Sequence, residues 1–375
     1  MRIILAGSVP LSLRNFRGPL ITEMLARGHG IHAVAPSLLS ETTTRQWLEA
    51  QGVVCHNAPI SRAGLNPLVD LRSLIALAFL MRRVRPDLFL GYTIKPVIWG
   101  LMAARLAGVP HRVALITGLG YAFTGEARGK RALVQRLARW LYARALRRAT
   151  LVFFQNSDDR GDFVRLGLVP PSVPMVIVNG SGVDTEAFSP TALPEGPVQF
   201  LLIARLLGDK GIREYAQAAA IVRNRYPDAR FHLVGGLDPN PDALSEEEVR
   251  CWVAAGDIIW HGALDDVRPA IAATHVYVLP SYREGTPRTV LEAMAMGRPV
   301  ITTDAPGCRE TVRPGVTGLL VPVRDVPALA EAMERFLAAP ESIRQMGCAA
   351  HNLALEKYDV RRVNNVMLRA MGLQA

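Results

Sequence analysis

The chain has 375 residues, half of them hydrophobic, and a formal net charge of +10 at pH 7. A chain of this length is expected to fold as two domains, and its apolar content is sufficient for two sizeable cores. Its four cysteines are scattered without a C-x-x-C pair. That pattern argues against a disulfide framework or a cysteine zinc site and fits a reducing cytosol.

The sequence lacks the apolar runs that indicate a secretory leader or a membrane span. The first residues, MRIILAGS, lead directly into a strand and turn, without the long apolar core of a signal peptide. The longest candidate span, residues 74–81, is too short to cross a bilayer and is flanked by Arg72 and Arg82. We therefore expect no leader and no spanning helix, and we predict that residues 74–81 form a buried helix segment.

Positive charge is concentrated in the first half of the chain. Residues 1–180 hold 23 Lys and Arg against 9 Asp and Glu, a net charge of +14, whereas residues 181–375 hold 20 against 24, a net charge of −4. Such asymmetry indicates that the first half meets an anionic surface, either nucleic acid or anionic lipid. No zinc finger, RNP-like sequence or Gly-Lys-Ser phosphate loop supports nucleic acid. We expect anionic lipid and no nucleic-acid partner.

The first half alternates between strands and helices. Residues 2–6 form a predicted buried strand that ends at Gly7-Ser8, and a helix whose entry we place at residues 14–18 leads to a second strand. This βαβ unit predicts a parallel sheet with right-handed crossovers. It lacks the G-x-G-x-x-G of a dinucleotide-binding turn, which argues against a dehydrogenase. Further strands are expected at residues 53–57, 86–91, 111–116, 151–155 and 176–178, with helices at residues 67–84, 98–106 and 157–167.

Three turns of the first half lie where a parallel sheet binds its ligands. Gly7-Ser8, residues 93–95 and residues 117–121 all follow predicted strands. Because ligands bind beyond the carboxyl ends of such strands, one cleft could collect all three turns. Each is equally well explained as an ordinary connection between a strand and a helix, and both interpretations stay open.

The helix predicted at residues 128–148 is the most basic part of the chain. It carries eight Lys and Arg, and no acid occurs between Glu126 and Asp158. Together with Trp140 and Tyr142 it forms a basic amphipathic helix, which suits an interface with anionic lipid. The alternative is a domain helix that packs its leucines inward and solvates its arginines. The membrane-facing residues predicted by the first interpretation are Arg136, Arg139, Trp140, Arg144 and Arg147.

The second half repeats the alternation after a proline-containing linker at residues 185–198. The sequence shows no internal repeat, so the two halves are similar only in their pattern of elements. Strands are expected at residues 200–207, 231–234, 258–260, 276–279 and 300–303, with helices at residues 212–225, 246–255, 266–274, 327–337, 341–356 and 360–371.

Two cations follow the first strand of the second half. Arg205 and Lys210 lie five residues apart in the segment ARLLGDKG, where Arg offers a planar fork and Lys a point charge to phosphate oxygens. Such cations stabilise the charge that builds on a departing nucleoside diphosphate, without a metal. No D-x-D metal motif is present, because Asp158-Asp159 and Asp265-Asp266 are adjacent pairs that suit helix starts. Two solvated loop cations are the alternative.

The stretch at residues 281–310, SYREGTPRTVLEAMAMGRPVITTDAPGCRE, is predicted to be loop, helix, strand and loop. Glu284 lies in the loop before the helix and Glu292 inside it. Gly285 permits close approach of the backbone, and the start of a helix favours an anion. An acid beside an anion site suits a ligand that is part phosphate and part polyol, although loop–helix–strand units with two acids are also common without any such role.

This stretch resembles the E-x7-E motif of the family-4 retaining glycosyltransferases, including the flanking EG, the EAMAMGRPVI run and the D-x-PG-x-RE tail. The resemblance covers nearly the whole chain and implies an α/β protein of the GT-B fold, with two Rossmann-like doubly wound domains facing a central cleft. The implied limits are residues 1–185 for an acceptor domain, 186–358 for a nucleotide-sugar domain and 359–375 for a helix that crosses back to the first domain.

The resemblance also implies roles for individual residues. Arg205 and Lys210 hold the donor diphosphate, Glu284 contacts the donor sugar, and these three form the catalytic set. Further donor contacts fall on Gly18, Ile259, Trp260, Gly285, Thr286, Pro287 and Glu292, with Glu292 at the ribose hydroxyls and the residues at 285–287 acting through the main chain. Acceptor contacts fall on Asn15, Arg17, Lys95, Thr117, Gly118 and Tyr121.

The chain departs from the family pattern at one position. Many relatives place a histidine in the loop at residues 117–120, whereas this chain reads TGLG and its nearest histidine is His111. In this respect it resembles a subgroup that makes lipid-linked surface glycans and shares the RNF-R start and the TGLGY-x-F run. A histidine acid or base is therefore not expected, and Thr117 or a main-chain group is expected to position the acceptor.

The resulting prediction is a retaining, metal-independent glycosyltransferase without a cofactor. Its donor is expected to be a UDP-sugar, of the N-acetylhexosamine type, and its acceptor a polyprenyl-diphosphate-linked sugar at the cytoplasmic face of the cell membrane. Two alternatives from other classes stay open, a sugar-nucleotide epimerase with the same two-domain architecture and a non-catalytic protein that binds sugar nucleotides or lipid.

Overall fold

The structure, a computed structural model, describes residues 1–61, 66–118, 130–238, 240 and 242–374, and the side chains of the basic helix from residue 132 onward. The chain divides into two compact units. Unit 1 comprises Met1–Ser181 together with Val363–Ala375, and unit 2 comprises Gly182–Arg362. Unit 1 thus combines the first half of the chain with its last residues.

Unit 1 is built around a seven-stranded parallel sheet whose strand order is β3-β2-β1-β4-β5-β6-β7. Its strands are β1 (Arg2–Ala6), β2 (Gly30–Ala35), β3 (Val54–Asn57), β4 (Leu88–Tyr92), β5 (His111–Ile116), β6 (Leu151–Phe154) and β7 (Met175–Ile177). Its helices up to Ser181 are α1 (Pro10–Ala26), α2 (Thr42–Glu49), α3 (Pro67–Val84), α4 (Ile94–Leu106), α5 (Lys130–Leu146) and α6 (Ser157–Arg165).

Unit 2 contains a six-stranded parallel sheet of order β10-β9-β8-β11-β12-β13. Its strands are β8 (Gln199–Ile203), β9 (Arg230–Val234), β10 (Ile259–Trp260), β11 (Val276–Leu279), β12 (Val300–Thr303) and β13 (Gly318–Val321). Its helices are α7 (Ile212–Arg225), α8 (Glu246–Ala254), α9 (Arg268–Ala272), α10 (Arg288–Ala295), α11 (Val326–Ala338) and α12 (Glu341–Leu353), and α13 (Val360–Ala370) follows.

Both sheets are apolar on their two faces, as parallel sheets covered by helices require. Successive side chains of a strand point to opposite faces. In β1, Ile4 packs into a core shared with α3, α4 and α5, whereas Ile3 and Leu5 pack into a core shared with α1 and α13. The helix layer formed by α3, α4 and α5 therefore covers one face of the sheet of unit 1.

Each sheet has one point at which the strand order reverses. In unit 1 that point lies between β1 and β4, and in unit 2 it lies between β8 and β11. Doubly wound sheets bind their ligands at this point, because the loops at the carboxyl ends diverge there and leave a crevice. The prediction of two Rossmann-like α/β domains is confirmed by these topologies.

Several predicted element boundaries were wrong. Helix α1 begins at Pro10, where a proline suits the first helical position, so the predicted entry at residues 14–18 lies inside the helix. Helix α4 begins at Ile94 rather than at residue 98. Helix α2 and strand β13 were not predicted, because α2 is short and mostly polar, and an apolar run of four residues such as β13 carries no distinguishing period.

The motif residue Arg298 has a structural role in unit 2. It is one of the largest fully buried side chains, and its guanidinium donates to main-chain carbonyls of three separate segments. Burial lowers its pKa to about 10. The acceptors are the carbonyl oxygens of Thr191, Ala192, Ile271, Ala272, Thr274 and Met296. Arg298 thereby ties the entry segment of unit 2 to the turns after α9 and α10.

Within the described part of the chain, no helix combines the length and the apolarity needed to cross a bilayer.

Candidate active site

The loops after β8 and β11 of unit 2 are pressed together at the point where the strand order reverses. After β8 the chain makes a short 3-10 turn, Gly208–Lys210, and Gly211 follows in the left-handed region with φ of 70°. A Cβ on Gly211 would lie 2.1 Å from the carbonyl oxygen of Pro280. Only glycine allows this approach, which brings Lys210 beside the loop at residues 281–284.

Lys210 and Glu284 form an ion pair at the centre of this crevice. The Nζ of Lys210 lies 2.5 Å from Oε1 of Glu284, and both side chains are largely buried. Burial alone would lower the pKa of Lys210, but the nearby carboxylates of Glu284 and Asp209 outweigh it and raise that pKa. The ammonium therefore stays charged at neutral pH although it is largely buried. Such a cation interacts strongly with an anionic ligand.

Ser281 holds Glu284 in position. Its hydroxyl is fully buried and donates to Oε1 of Glu284 at 2.8 Å, and it lies 3.1 Å from the carbonyl oxygen of Asp209. The carbonyl of Ser281 in turn accepts from the hydroxyl of Thr303. Sequence reasoning missed Ser281, although its position three residues before Glu284 in the same loop was a usable signal.

Arg205 lies on the same strand end and is the more accessible cation. Its Nη1 lies 2.8 Å from Oδ2 of Asp238, and its side chain is about half exposed, whereas that of Asp238 is buried. Arg205 and Lys210 both influence the pKa of Asp209, which burial raises. The structure thus brings the two predicted phosphate-binding cations to one loop.

Gly285, Thr286 and Pro287 lead into α10, which begins at Arg288. Pro287 precedes the helix and has no backbone N–H, so a main-chain contact at this residue can be made only by its carbonyl group. The backbone N–H groups at the start of α10 and the dipole of the helix both favour an anion at this position.

Gly307 fixes the loop that carries Glu284 and was also missed. The amide of Glu284 donates to the carbonyl oxygen of Pro306 at 3.0 Å. Gly307 has φ of 79°, and a Cβ there would lie 2.1 Å from the carbonyl oxygen of Glu284 and 2.6 Å from that of Gly285. Glycine is therefore needed at residue 307, in the last part of the motif, so that this loop can pack against the backbone of Glu284 and Gly285.

Glu292 lies on α10 and is buried. The Nε of Arg288 lies 2.8 Å from its Oε1. Burial raises the pKa of Glu292 more strongly than Arg288 lowers it, and Asp266 raises it further. A carboxylate in this setting lacks full solvation and is an acceptor for ligand hydroxyl groups.

Ile259 and Trp260 form the short edge strand β10. Ile259 is exposed, whereas Trp260 is half-buried and its indole N–H donates to the carbonyl oxygen of Gly235 at 2.9 Å. Gly235 itself is close-packed, because a Cβ there would lie 1.8 Å from the carbonyl oxygen of Ala204. This links β10 to the loop that carries Arg205.

The corresponding crevice of unit 1 holds a cluster of polar side chains at the ends of β1 and β4. Ser8 and Thr93 share a hydrogen bond of 2.6 Å, and Ser12 and the hydroxyl of Tyr92 share one of 2.8 Å. The guanidinium of Arg17 lies over the ring of Tyr92. Burial raises the pKa of Tyr92 to about 12, so its hydroxyl stays protonated.

Thr93 is also a backbone outlier. Its φ of 67° lies in the left-handed region, which is costly for a β-branched residue. Such conformations concentrate at functional sites.

The predicted acceptor residues of unit 1 occupy different environments. Asn15 is exposed on α1, Arg17 is buried, and Thr117 and Gly118 directly follow β5 and are half-buried. Lys95 is buried and paired with Asp70 of α3, with 2.7 Å between Nζ and Oδ1. Tyr121 lies outside the described residues.

Gly18, predicted to let a helix start approach the donor, lies inside α1. A Cβ there would lie 2.9 Å from the ring of Trp47 on α2. The observed reason for glycine at this position is the packing of α1 against α2.

The predicted membrane-facing residues lie on or next to α5. Trp140 is exposed and lies under the guanidinium of Arg144, while Arg136 and Arg147 are exposed and Arg139 is half-buried. Tyr142, which the sequence grouped with Trp140, is buried in the core of unit 1 instead.

In the described residues, no three His, Cys, Asp or Glu side chains are grouped so that they could hold a metal ion. The adjacent acids Asp158 and Asp159 lie in the first turn of α6, and Asp266 pairs with Arg268 at the start of α9.

Two family models match the chain in sequence. Residues 16–180 match the glycosyl transferase 4-like domain, and residues 197–339 match the glycosyl transferases group 1. The chain belongs to the family-4 glycosyltransferases. It is therefore a glycosyltransferase, and the two matched regions correspond to unit 1 and unit 2.

Two curated relatives are similar over much of their length. The N,N'-diacetylbacillosaminyl-diphospho-undecaprenol alpha-1,3-N-acetylgalactosaminyltransferase of Campylobacter jejuni is 29% identical over 90% of this chain and 89% of its own. The UDP-Gal:alpha-D-GlcNAc-diphosphoundecaprenol alpha-1,3-galactosyltransferase of Escherichia coli is 29% identical over 72% of this chain and 71% of its own.

Solved structures share the GT-B fold of this glycosyltransferase. HepE of Anabaena, in complex with UDP and glucose, aligns with a TM-score of 0.79 and 18% identity over 100% of both chains. The sucrose-phosphate synthase of Thermosynechococcus elongatus aligns with a TM-score of 0.79 and 21% identity over 99% of this chain and 98% of its own. The GT-B prediction is confirmed.

Proposed function

We propose that this glycosyltransferase transfers an N-acetylhexosamine from a UDP-sugar to a polyprenyl-diphosphate-linked sugar, with retention of anomeric configuration and without a metal or cofactor. The acceptor class is supported by the C. jejuni and E. coli relatives, both of which are named for undecaprenol-diphosphate-linked acceptors. The UDP donor is supported by the E. coli relative's name, and the N-acetylhexosamine by that of the C. jejuni relative.

The observation that carries the proposal is the Lys210–Glu284 ion pair at the reversal point of the sheet of unit 2. A charged ammonium beside the start of α10 suits the diphosphate, and Arg205 adds a second cation on the same loop. Glu284 then lies where the sugar follows the diphosphate, and Glu292 on α10 is an acceptor for the ribose hydroxyls.

The proposed chemistry is front-face transfer. The bond between the anomeric carbon and the donor's phosphate oxygen breaks, and the acceptor oxygen forms its bond to that carbon on the same face. The acceptor's proton passes to the departing phosphate, so UDP is released. Arg205 and Lys210 stabilise the negative charge that develops on UDP, which is the role of preorganised cations in such reactions.

We assign acceptor binding to unit 1, with Asn15, Arg17, Thr117 and Gly118 as contacts. Lys95 contributes there by holding α4 on α3 through its ion pair with Asp70. The exposed cations of α5 place the enzyme on the anionic cytoplasmic face of the membrane, where a polyprenyl acceptor lies.

The experiment measures UDP release from UDP-N-acetylhexosamines with and without a short-chain polyprenyl-diphosphate-linked sugar. The proposal requires UDP release and a new disaccharide only when the acceptor is present. A sugar nucleotide converted to its epimer without acceptor would contradict transfer and favour the epimerase. Donor binding by calorimetry without any turnover across the acceptor panel would favour a non-catalytic binding protein.

A further inference from the structure

The outward face of α3 is an apolar stripe. Its four residues recur at intervals of three or four, so they share one face of the helix. Their exposed fractions are 77% for Leu68, 51% for Leu71, 47% for Ile75 and 66% for Phe79. Residues 74–81 were predicted to be buried, and the structure corrects this for Ile75 and Phe79.

The inward face of the same helix combines apolar residues with two polar ones. Asp70 is buried and pairs with Lys95, and the buried hydroxyl of Ser73 donates to the carbonyl oxygen of Pro59. A surface helix of a protein surrounded only by water usually has a polar outward face, whereas the outward face of α3 carries the four large apolar side chains. The outward face of α3 is therefore suited to a medium less polar than water.

Neighbouring helices of the same layer also expose apolar side chains. Helix α4 packs against both α3 and α5. Leu106 of α4 is exposed, and so are Leu133, Leu137 and Trp140 of α5. Large exposed apolar side chains that recur on one helix layer indicate a contact site, whereas ones scattered singly do not.

The charges on helices α3, α4 and α5 indicate what binds this apolar face. The sequences of α3, α4 and α5 contain one acid, Asp70, and it is buried in its ion pair. Among the side chains that the structure describes, the exposed charges of this layer are thus cations. They are Arg72, Arg82, Arg83, Arg105, Arg136 and Arg144. An apolar stripe flanked by arginines alone complements the acyl chains and the anionic headgroups of a bilayer. A second copy of the same face would bring like charges together and is disfavoured.

We propose that the α3 stripe inserts into the boundary between headgroups and acyl chains of an anionic bilayer, beside the cations of α5. This extends the membrane association of the proposed function, and it adds an apolar component to the electrostatic one. The electrostatic component weakens with salt because counterions screen it, whereas burial of apolar side chains does not. Membrane binding by the full chain is therefore expected to persist in part at high salt.

The test is partition of the full chain onto phosphatidylglycerol–phosphatidylcholine vesicles that contain no polyprenyl lipid, at low and high salt. Replacing Ile75→Ser and Phe79→Ser together should lower the partition coefficient by about tenfold or more at both salt concentrations, since two large apolar side chains lose their burial. Reversing Arg136, Arg144 and Arg147 to Glu should remove the salt-sensitive part instead.

The matched control is the double variant Ile221→Ser and Val253→Ser, which changes two exposed apolar residues on α7 and α8 of unit 2. Its partition should equal that of the wild type, and Phe79→Trp should also bind. Equal binding by the stripe variant and the control would overturn the proposal, and so would a stripe-dependent dimer without stripe-dependent vesicle binding. UDP release with a water-soluble acceptor should be unchanged in the stripe variant. A wild-type protein that fails to transfer sugar would contradict the proposed function alone, because vesicle binding is measured without any transfer.

Discussion

Lys210 and Glu284 are 74 residues apart in sequence and meet because two neighbouring strand ends bring their loops together. The Oε1 of Glu284 accepts hydrogen bonds from both the ammonium of Lys210 and the hydroxyl of Ser281. The ammonium is thereby fixed in direction before any ligand arrives. Preorganisation of this kind is what lets a cation stabilise developing charge without reorganisation during the reaction.

Lys210→Ala should therefore lower kcat by about 100-fold or more, as the loss of one preorganised transition-state donor does. The measurement is steady-state UDP release with saturating donor and acceptor. Arg213→Ala is the control, because Arg213 is the second residue of α7 and forms its ion pair with Glu248. A folded Lys210→Ala protein with near-normal turnover would refute the role of Lys210.

Glu292 is predicted to bind the ribose, and its buried carboxylate is expected to lower the free energy of unfolding of the protein. Its folded pKa is raised above 4.5, so the folded state favours the protonated carboxyl, and stability falls as pH rises from 4.5 through the folded pKa. Glu292→Gln removes this titration. The melting temperature of Glu292→Gln relative to the wild type should therefore increase over that pH interval.

The same change should weaken donor binding at neutral pH. Calorimetry with a UDP-sugar, whose diphosphate diester does not titrate in this range, should show the wild type losing affinity as pH falls through the pKa of Glu292. Glu292→Gln should bind weakly and show no such dependence. Wild-type affinity in Glu292→Ala at neutral pH would mean that the ribose contact lies elsewhere.

At the scale of elements, the loop after β12 supports the loop after β11 through a contact that only glycine permits. Gly307→Ala should misplace Glu284, lower kcat and destabilise unit 2. Gly315→Ala is a matched control, because Gly315 also has positive φ, of 73°, but no atom lies within 4 Å of its added Cβ.

The control should cost about 1–2 kcal/mol of unfolding free energy from backbone strain alone. Gly307→Ala should cost at least about 1–3 kcal/mol more from overpacking. Denaturant unfolding and UDP release measure the two effects. Equal stability and equal turnover in the two variants would show that the contact between the two loops is unimportant.

The elements that sequence predicted well are those with a strong local pattern. Strands β5, β11 and β12 and helices α3 and α7 match their predicted limits, because apolar runs and turn residues bound them. Helix α2 and strand β13 are short and were missed. Helix α1 begins earlier than predicted because the prolyl signal at Pro10 outweighed the charged residues downstream.

The sequence could not predict which face of α3 lies inward. The buried residues include Leu77 and Met81 and the exposed ones Ile75 and Phe79, so the helix is apolar on both sides. A hydrophobic period selects an inner face only when the other face is polar. The Asp70–Lys95 pair lies on the inward face, and that contact forms between two helices and leaves no local signal.

The candidate site divides in the same way. Arg205, Lys210, Glu284 and Glu292 could be named as candidates from sequence, because the family resemblance covers both the segment ARLLGDKG and the E-x7-E motif. Ser281 and Gly307 act through contacts between loops, which spacing alone does not reveal.

At the scale of the molecule, the two units have similar sheets and opposite charge. Unit 2 contains the crevice proposed to bind the donor, while the basic half of the chain carries the helix layer proposed to meet the membrane. Each unit has one reversal point, and the polar clusters of both lie there. Under the proposed function, one unit binds the donor and the other binds the acceptor and the membrane.

The most direct test is a transfer reaction in excess EDTA, with an α-linked UDP-N-acetylhexosamine and a polyprenyl-diphosphate-linked sugar. The product's linkage is determined by NMR after release from the lipid. The account predicts one equivalent of UDP for each disaccharide formed, and an α-linkage, because the donor configuration is retained. A β-linked product, or activity that EDTA abolishes and magnesium or manganese restores, would contradict it.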